Sequence, residues 1–344
     1  MNYQLFGTKT GLWVSELALG TGMFGTAFGY GAEPDAVQDM LRGYAEAGGN
    51  FIDTSETYQW GEAERQLKDF LSPQRSDFVL ASKYTAGVGA APALGRLGNH
   101  RKAMTQAVEA SLKRLGTDYL DVYMAHLPDG VTPVEEIVRG FDDLVRAGKI
   151  IYGGLSNFPA WRVATAATRA DLRGWAPLAG IQVEYNLVQR TAERELLPMA
   201  EGLGLGVMAY SPLGAGVLSG KYRRGETGRA TAFTGVPPTP SPQTNAVLDI
   251  LLAVADELTA TPSQVATAWV KAQGVIPIIG PRTRAQLDDY LLAAALRLSA
   301  DQLQRLTDAS AVPAGYPHEL LATQQGTLTG NRADQVSWPA RSVA

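Results

Sequence analysis

The sequence predicts an α/β fold, a (β/α)8 TIM barrel with a short N-terminal β-hairpin and long loops at its C-terminal rim. Three observations predict it. Short apolar runs alternate with amphipathic helical stretches, eight such runs follow one another from Leu17 onward, and polar residues collect at the C-terminal ends of several of them. Strands that alternate with helices pair in parallel, because each crossover must travel back over the sheet. Eight such units, at about 250 residues or somewhat more, match a closed barrel. An open doubly wound sheet is the competing arrangement, and it would carry a glycine fingerprint in its first βα turn. Gly20-Thr21-Gly22 is only a fragment of one, and no helix starts there.

The elements follow in order. Residues 3 to 14 form a hairpin around Gly7-Thr8-Lys9-Thr10-Gly11, and Leu17-Ala18-Leu19 makes the first barrel strand. From Pro34 to Ala47, Val37, Met40, Leu41 and Tyr44 fall on one helical face. Further strands begin at Phe51, Phe78, Tyr119, Ile150, Ala179, Leu205 and Val275. The helices between them are expected near 61 to 71, 101 to 115, 133 to 147, 159 to 172, 191 to 202 and 244 to 273. Two long segments, 84 to 100 and 223 to 243, follow strands and so lie at the C-terminal rim, where long loops serve function. From about residue 310 to 344 the chain reads as an irregular polar tail, and one domain is expected over 1 to 344.

Composition narrows the function classes. The chain has 344 residues, 45% of them hydrophobic, a net charge of −4 and no cysteine. No basic stripe points to nucleic acid as a partner. No apolar run reaches the roughly 20 residues a membrane-spanning helix needs. The absence of cysteine removes thiolate nucleophiles, disulfides and thiolate metal sites. No signal segment is read at the N-terminus, so a cytoplasmic location is the expectation. Nothing in the sequence sets an oligomeric state.

Four residues end consecutive strands: Asp53 after Phe51-Ile52, with Tyr58 five residues on, Lys83 after Leu80-Ala81-Ser82, and His126 after Tyr123-Met124-Ala125. Singly, each has an ordinary explanation: a helix cap, a core aromatic, a solvated loop lysine, a structural histidine. Together they fall where barrel enzymes keep their chemistry. The types also fit one reaction. Reducing a carbonyl takes a hydride on carbon and a proton on oxygen. A lysine ammonium beside a tyrosine favours the phenolate and lowers a pKa that is ordinarily about 10. An aspartate holds that lysine charged, and a histidine can orient the carbonyl.

Two long motifs carry a family resemblance. The stretch Gly49-Asn50-Phe51-Ile52-Asp53-Thr54-Ser55-Glu56-Thr57-Tyr58 is similar to the first signature of the aldo-keto reductases. Ser111-Leu112-Lys113-Arg114-Leu115-Gly116-Thr117-Asp118-Tyr119-Leu120-Asp121, followed by His126, is similar to the second. The chain resembles the bacterial branch related to potassium-channel β subunits, over about residues 3 to 310. The resemblance implies that Tyr58 is the general acid/base, that Asp53 and Lys83 tune it, and that His126 orients the carbonyl.

It also implies a nicotinamide cofactor bound without a Rossmann fingerprint. Ser156, Asn157 and Gln182 match the groups that grip the carboxamide, and Tyr210 matches the ring that stacks on the nicotinamide. Ser211, Pro212, Leu213, Gly214 and Lys221 would meet the pyrophosphate and ribose, with Gly20 and Thr21 bordering them. Gly280, Arg282 and Gln286 match the adenosine 2′-phosphate turn, and a guanidinium suits a phosphate dianion, so NADPH is favoured over NADH. Asp289 and Tyr290 stand where Glu and Asn are usual, at positions that face the adenine. Arg282 and Arg284 read equally as surface charge at a helix start.

The substrate expected is a small-molecule aldehyde or ketone, sugar-like or bulky. Its pocket would be walled by Met23, Phe24, Tyr84 and Leu127, the Asn99-His100-Arg101 end of the first long loop, and Tyr316 or Trp338 of the tail. The competing readings are a cofactor-binding sensor subunit with little turnover, a Schiff-base aldolase using Lys83, and a metal-dependent hydrolase. The aldolase needs Lys83 neutral, which an aspartate beside it opposes. With three histidines and no His-X-His pair, no metal is expected.

Overall fold

A computed structural model of the chain describes residues 1–236 and 238–337. Eight parallel strands close a barrel: β3 (Ala18–Gly20), β4 (Phe51–Asp53), β5 (Val79–Tyr84), β6 (Leu120–Ala125), β7 (Ile150–Ser156), β8 (Leu178–Glu184), β9 (Gly206–Tyr210) and β10 (Ile276–Ile279). Closure comes from β10, which pairs with β9 on one side and with β3 on the other. The remaining strands, β1 (Tyr3–Leu5) and β2 (Trp13–Ser15), form the expected antiparallel hairpin.

Helices α1 (Pro34–Glu46), α2 (Glu62–Leu71), α3 (Arg101–Leu115), α4 (Val134–Arg146), α5 (Ala160–Arg173) and α6 (Leu196–Gly202) follow β3 to β8. Val37, Met40, Leu41 and Tyr44 of α1 are all buried, as their spacing predicts. Pro34 starts this helix, where its missing N–H costs nothing.

Three expectations need correction. The segment 244 to 273 is two helices, α8 (Pro242–Glu257) and α9 (Pro262–Ala272). Thr259 takes a left-handed φ of 49°, and Thr261 with Gln264 makes a capping box that starts α9 afresh, so the continuous apolar pattern hides the break. The helix expected over 191 to 202 opens with a separate 3-10 turn, Thr191–Glu193. Within the described residues the tail is not wholly irregular. After α10 (Arg284–Ala295) and α11 (Ala300–Ala309), it forms the short helices α12 (His318–Thr323) and α13 (Gln325–Leu328). A short helix also interrupts the second long rim segment, α7 (Arg229–Thr234). Among the described residues no helix is long and apolar enough to cross a membrane.

Two apolar layers hold the barrel. The outer one lies between strands and helices. The inner one fills the barrel with Phe51, Val79, Ala81, Val122, Met124, Met208, Ile276 and Ile278. At its N-terminal end the hairpin inserts Phe6, fully buried and edge-on to Phe51 at 5.5 Å. Gly180 and Gly206 make room for it, since a Cβ on either would run into the Phe6 ring.

Candidate active site

The inner layer dictates what the other end of the barrel presents. Successive side chains of a strand alternate faces. Phe51, Ala81 and Met124 point inward, so Asp53, Lys83 and His126, each two residues further on, point inward as well. On β8 and β9 the inward faces of Gly180 and Met208 place Gln182 and Tyr210 on the same interior.

Lys83 sits at the centre with no exposed surface. Its Nζ donates to Asp53 Oδ2 at 2.8 Å, to the Thr54 carbonyl at 2.8 Å and to Tyr58 Oη at 3.1 Å. Three acceptors satisfy the three donors of an ammonium. Burial alone would neutralise Lys83, but the Asp53 carboxylate and the Tyr58 hydroxyl outweigh it, and the pKa rises above the ordinary lysine value. A neutral amine for a Schiff base is therefore disfavoured.

Tyr58 departs from the sequence-based expectation. Part of its ring is exposed, while the hydroxyl lies deep. Burial raises the phenol pKa, and the Lys83 ammonium only partly offsets this, with Asp53 also pushing upward. Tyr58 is thus a protonated phenol with a cation bonded to its oxygen.

His126 is pulled down to about 3 by burial and by the charge of Lys83, so its imidazole is neutral. Its ring meets Tyr58 edge-on, with centroids 5.9 Å apart. Its Nδ1 lies 3.2 Å from Ser55 Oγ. Ser55 is one residue of this cluster that the sequence reading gave no role, although it lies inside the first motif. Glu56 lies next to it in the same motif. It is buried, accepts from the amides of Thr85 and Gly87 at 3.1 Å each, and is pushed up to about 7 by burial.

The groups matched to the cofactor lie next to this cluster. Gln182 Nε2 donates to Asp53 Oδ1 at 2.8 Å and so braces the aspartate. Asn157, at a left-handed φ of 62°, donates to the His126 carbonyl at 3.0 Å and to Ser156 Oγ at 2.9 Å. Tyr210 donates to Asn157 Oδ1 at 2.9 Å. Thr21 is buried, with its amide and hydroxyl both bonded to the Asp53 carbonyl, and Gly20 packs against Ile278 where no side chain would fit. Ser211 holds φ 54° and starts the turn that Gly214 N closes onto its carbonyl, around Pro212. The Leu213 side chain belongs to the outer core, so only its backbone faces the turn.

Further out, the Arg282 guanidinium lies 4.7 Å from the ring centre of Tyr30, and its amide donates to Gln286 at 2.8 Å. Arg282 Nε is buried with no hydrogen-bond partner among the described residues. Lys221 stands in the field of Arg282; burial lowers its pKa, Glu226 opposes this, and the Arg282 charge adds a smaller downward push. Gly280 is exposed at the end of β10. Asp289 turns elsewhere: it accepts from Thr261 Oγ1 at 2.9 Å and Gln264 Nε2 at 2.7 Å, serving the start of α9. Tyr290 is packed against the outer core, with its phenol pKa raised by burial. Arg284 pairs with Asp39 and Asp288 at the surface. Arg229, at the start of α7, acts electrostatically on both Tyr58 and Tyr290, which the sequence reading did not anticipate.

Several pocket expectations fail. Tyr84 has no exposure; it stacks on Tyr123 at 5.2 Å in the outer core. The reason is alternation: if Lys83 faces in, its neighbour faces out. Phe24 is likewise fully buried in the outer core, and Met23 is nearly so. Asn99 and His100 are structural. Asn99 donates to the Leu127 carbonyl at 2.8 Å, and His100 caps α3. Leu127 remains on the rim, 45% exposed, beside the site. Tyr316 is 86% exposed. Trp338 lies outside the described residues. A pair absent from the expected pocket stands at the rim instead: Phe28 and Trp60, edge-on at 4.9 Å.

The comparisons agree with this architecture. The model of the aldo/keto reductase family matches residues 16–311. The chain is 32% identical to the norsolorinic acid reductase of Aspergillus flavus, over 93% of this chain and 84% of that protein. It is 34% identical to an uncharacterised oxidoreductase, YrpG, of Bacillus subtilis, over 94% and 100%. A putative aryl-alcohol dehydrogenase of Saccharomyces cerevisiae is 30% identical, over 90% and 87%. The chain belongs to the aldo/keto reductase family and is an oxidoreductase.

Proposed function

With membership of that family as the premise, we propose that the protein is an NADPH-dependent reductase of aldehydes or ketones, with Tyr58 as proton donor. The observation that carries this reading is the buried ammonium of Lys83, bonded at once to Asp53, the Thr54 carbonyl and Tyr58 Oη. When bound, the dihydronicotinamide supplies a hydride to the carbonyl carbon. Tyr58 donates its hydroxyl proton to the carbonyl oxygen, and Lys83 stabilises the phenolate left behind. In the tautomer this role requires, Nδ1 accepts from Ser55 Oγ, and the neutral His126 donates its Nε2 proton as a hydrogen bond to the same oxygen.

The residues fit the cofactor. Arg282, with its orphaned Nε, and Lys221 supply positive charge for phosphate, while Ser156, Asn157 and Gln182 supply an amide-and-hydroxyl set suited to a carboxamide. Gln182 would exchange Asp53 for that ligand. The relatives' names bring an aryl aldehyde or aryl ketone forward as the substrate class. The aromatic pair Phe28–Trp60 supports this, since flat rings favour edge and stacked contacts.

The test is fluorescence titration with NADPH and NADH, followed by turnover of 4-nitrobenzaldehyde, on wild type and Tyr58→Phe. Binding in both proteins with a kcat lower by about 10²–10⁴-fold in the variant is expected. NADPH bound without turnover by wild type would favour a sensor subunit.

A further inference from the structure

We propose that Tyr30 sets the cofactor preference by positioning Arg282 for the adenosine 2′-phosphate. This inference rests on the NADPH reading above and adds a residue that neither the motifs nor the resemblance assigns. Tyr30 lies in the loop between β3 and α1, and Arg282 in the turn after β10. Those strands are neighbours because the barrel closes there, so two loops from opposite ends of the chain meet at one rim.

The geometry divides the guanidinium by function. The phenol ring of Tyr30 covers the guanidinium at 4.7 Å from the ring centre. A cation over an aromatic face is held electrostatically without spending any of its N–H donors. Bidentate recognition of a phosphate uses the in-plane edge of the fork, not its face. The ring contact therefore restrains the Arg282 guanidinium and leaves its N–H donors to a ligand. The buried Nε, which has no hydrogen-bond partner among the described residues, is the second observation that points to an anion here. Lys221 adds positive charge in the same field: burial lowers its pKa, the Glu226 carboxylate opposes that shift, and Arg282 adds to it.

Tyr30 is itself held. Gln59 Nε2 donates to the Tyr30 carbonyl at 3.0 Å, and Gln59 Oε1 accepts from the Phe28 amide at 2.8 Å. Gln59 is fully buried at a left-handed φ of 49°, directly after Tyr58. A non-glycine residue in that conformation carries strain that its surroundings must offset. The Gln59 bonds tie the loop carrying Tyr30 to the turn carrying the phenol of the active site. Arg282 is thus oriented by a side chain anchored to the catalytic end of the barrel.

The experiment measures binding of adenosine 2′,5′-bisphosphate, AMP, NADPH and NADH by calorimetry to wild type, Tyr30→Phe, Tyr30→Leu and Arg282→Ala. These measurements need no turnover. Tyr30→Phe keeps the ring and is expected to match wild type. Tyr30→Leu keeps bulk without the π face and is expected to weaken the bisphosphate and NADPH about 3- to 10-fold, leaving AMP and NADH unchanged. Arg282→Ala is expected to weaken the same two ligands further. If Tyr30→Leu binds all four ligands as wild type does while Arg282→Ala loses the 2′-phosphate preference, the role of Tyr30 is overturned and the NADPH reading stands. Equal weakening of all four by Tyr30→Leu also overturns it, since that marks a damaged loop. A wild type that binds NADH as tightly as NADPH overturns the NADPH reading and this inference with it.

Discussion

The two ends of the barrel are built from the same strands and solve opposite problems. At the N-terminal end, Phe6 closes a dry interior against Phe51, Gly180 and Gly206, and the contacts are apolar and non-directional. At the C-terminal end, two residues along the same strands, Asp53, Lys83, His126 and Gln182 occupy equivalent inward positions. There the groups are charged or polar, and each must find a partner because water is excluded. The difference teaches that one alternation rule serves both stability and chemistry. A strand two residues longer than its apolar core delivers a functional group to the rim without disturbing the packing beneath it.

The largest effect that would test this contrast comes from Lys83→Met. It leaves the Asp53 carboxylate buried without its cation, so a loss of about 3–5 kcal/mol is expected in urea denaturation. Turnover should fall as well. The double variant Lys83→Met/Asp53→Leu removes both charges and is expected to recover most of the stability and none of the turnover. Recovery of both would mean that the pair is structural only.

Next comes Phe6→Ala at the opposite end. A cavity under the barrel is expected to cost about 3–5 kcal/mol, read as a lowered denaturation midpoint. Turnover per folded molecule should stay within about twofold, because the plug shares no partner with the rim. A large drop in kcat at unchanged stability would mean that the two ends are coupled.

A third test is in pH, where two opposing groups partly cancel in the wild type. Glu56 titrates near 7 in the fold against an ordinary 4.5, so its contribution to stability is complete below about 4.5 and is lost as pH rises through 7. His126 titrates near 3 against an ordinary 6.5, so its contribution is present above 6.5 and is lost as pH falls toward 3. The two slopes oppose each other where the windows overlap. Glu56→Gln is expected to leave stability that climbs from pH 3 to 6.5, and His126→Gln stability that declines from 4.5 to 7. Denaturation curves at stepped pH check both signs. Parallel profiles in the two variants would show that other groups govern this range.

Much of the site was legible because it is local. Asp53 and Tyr58 lie in one short motif, and strand alternation assigns Lys83 and His126 to the interior. The same alternation assigns Tyr84 to the outer core, and applying it would have kept that residue out of the pocket. The break between α8 and α9 also left a sign in Thr261-Pro262-Ser263-Gln264, a capping sequence inside an apolar run.

By itself the sequence determined the alternation of strands and helices, the residues at strand ends and the family motifs, because each depends on neighbours within a few positions. Tertiary structure alone decided the rest. The stack of Arg282 on Tyr30 exists because closure sets β10 beside β3. Asp289 turned to Thr261 and Gln264 because α10 lies against α9. The direction of the Tyr58 pKa followed from a balance of burial against a cation, and burial is a property of everything packed around a group.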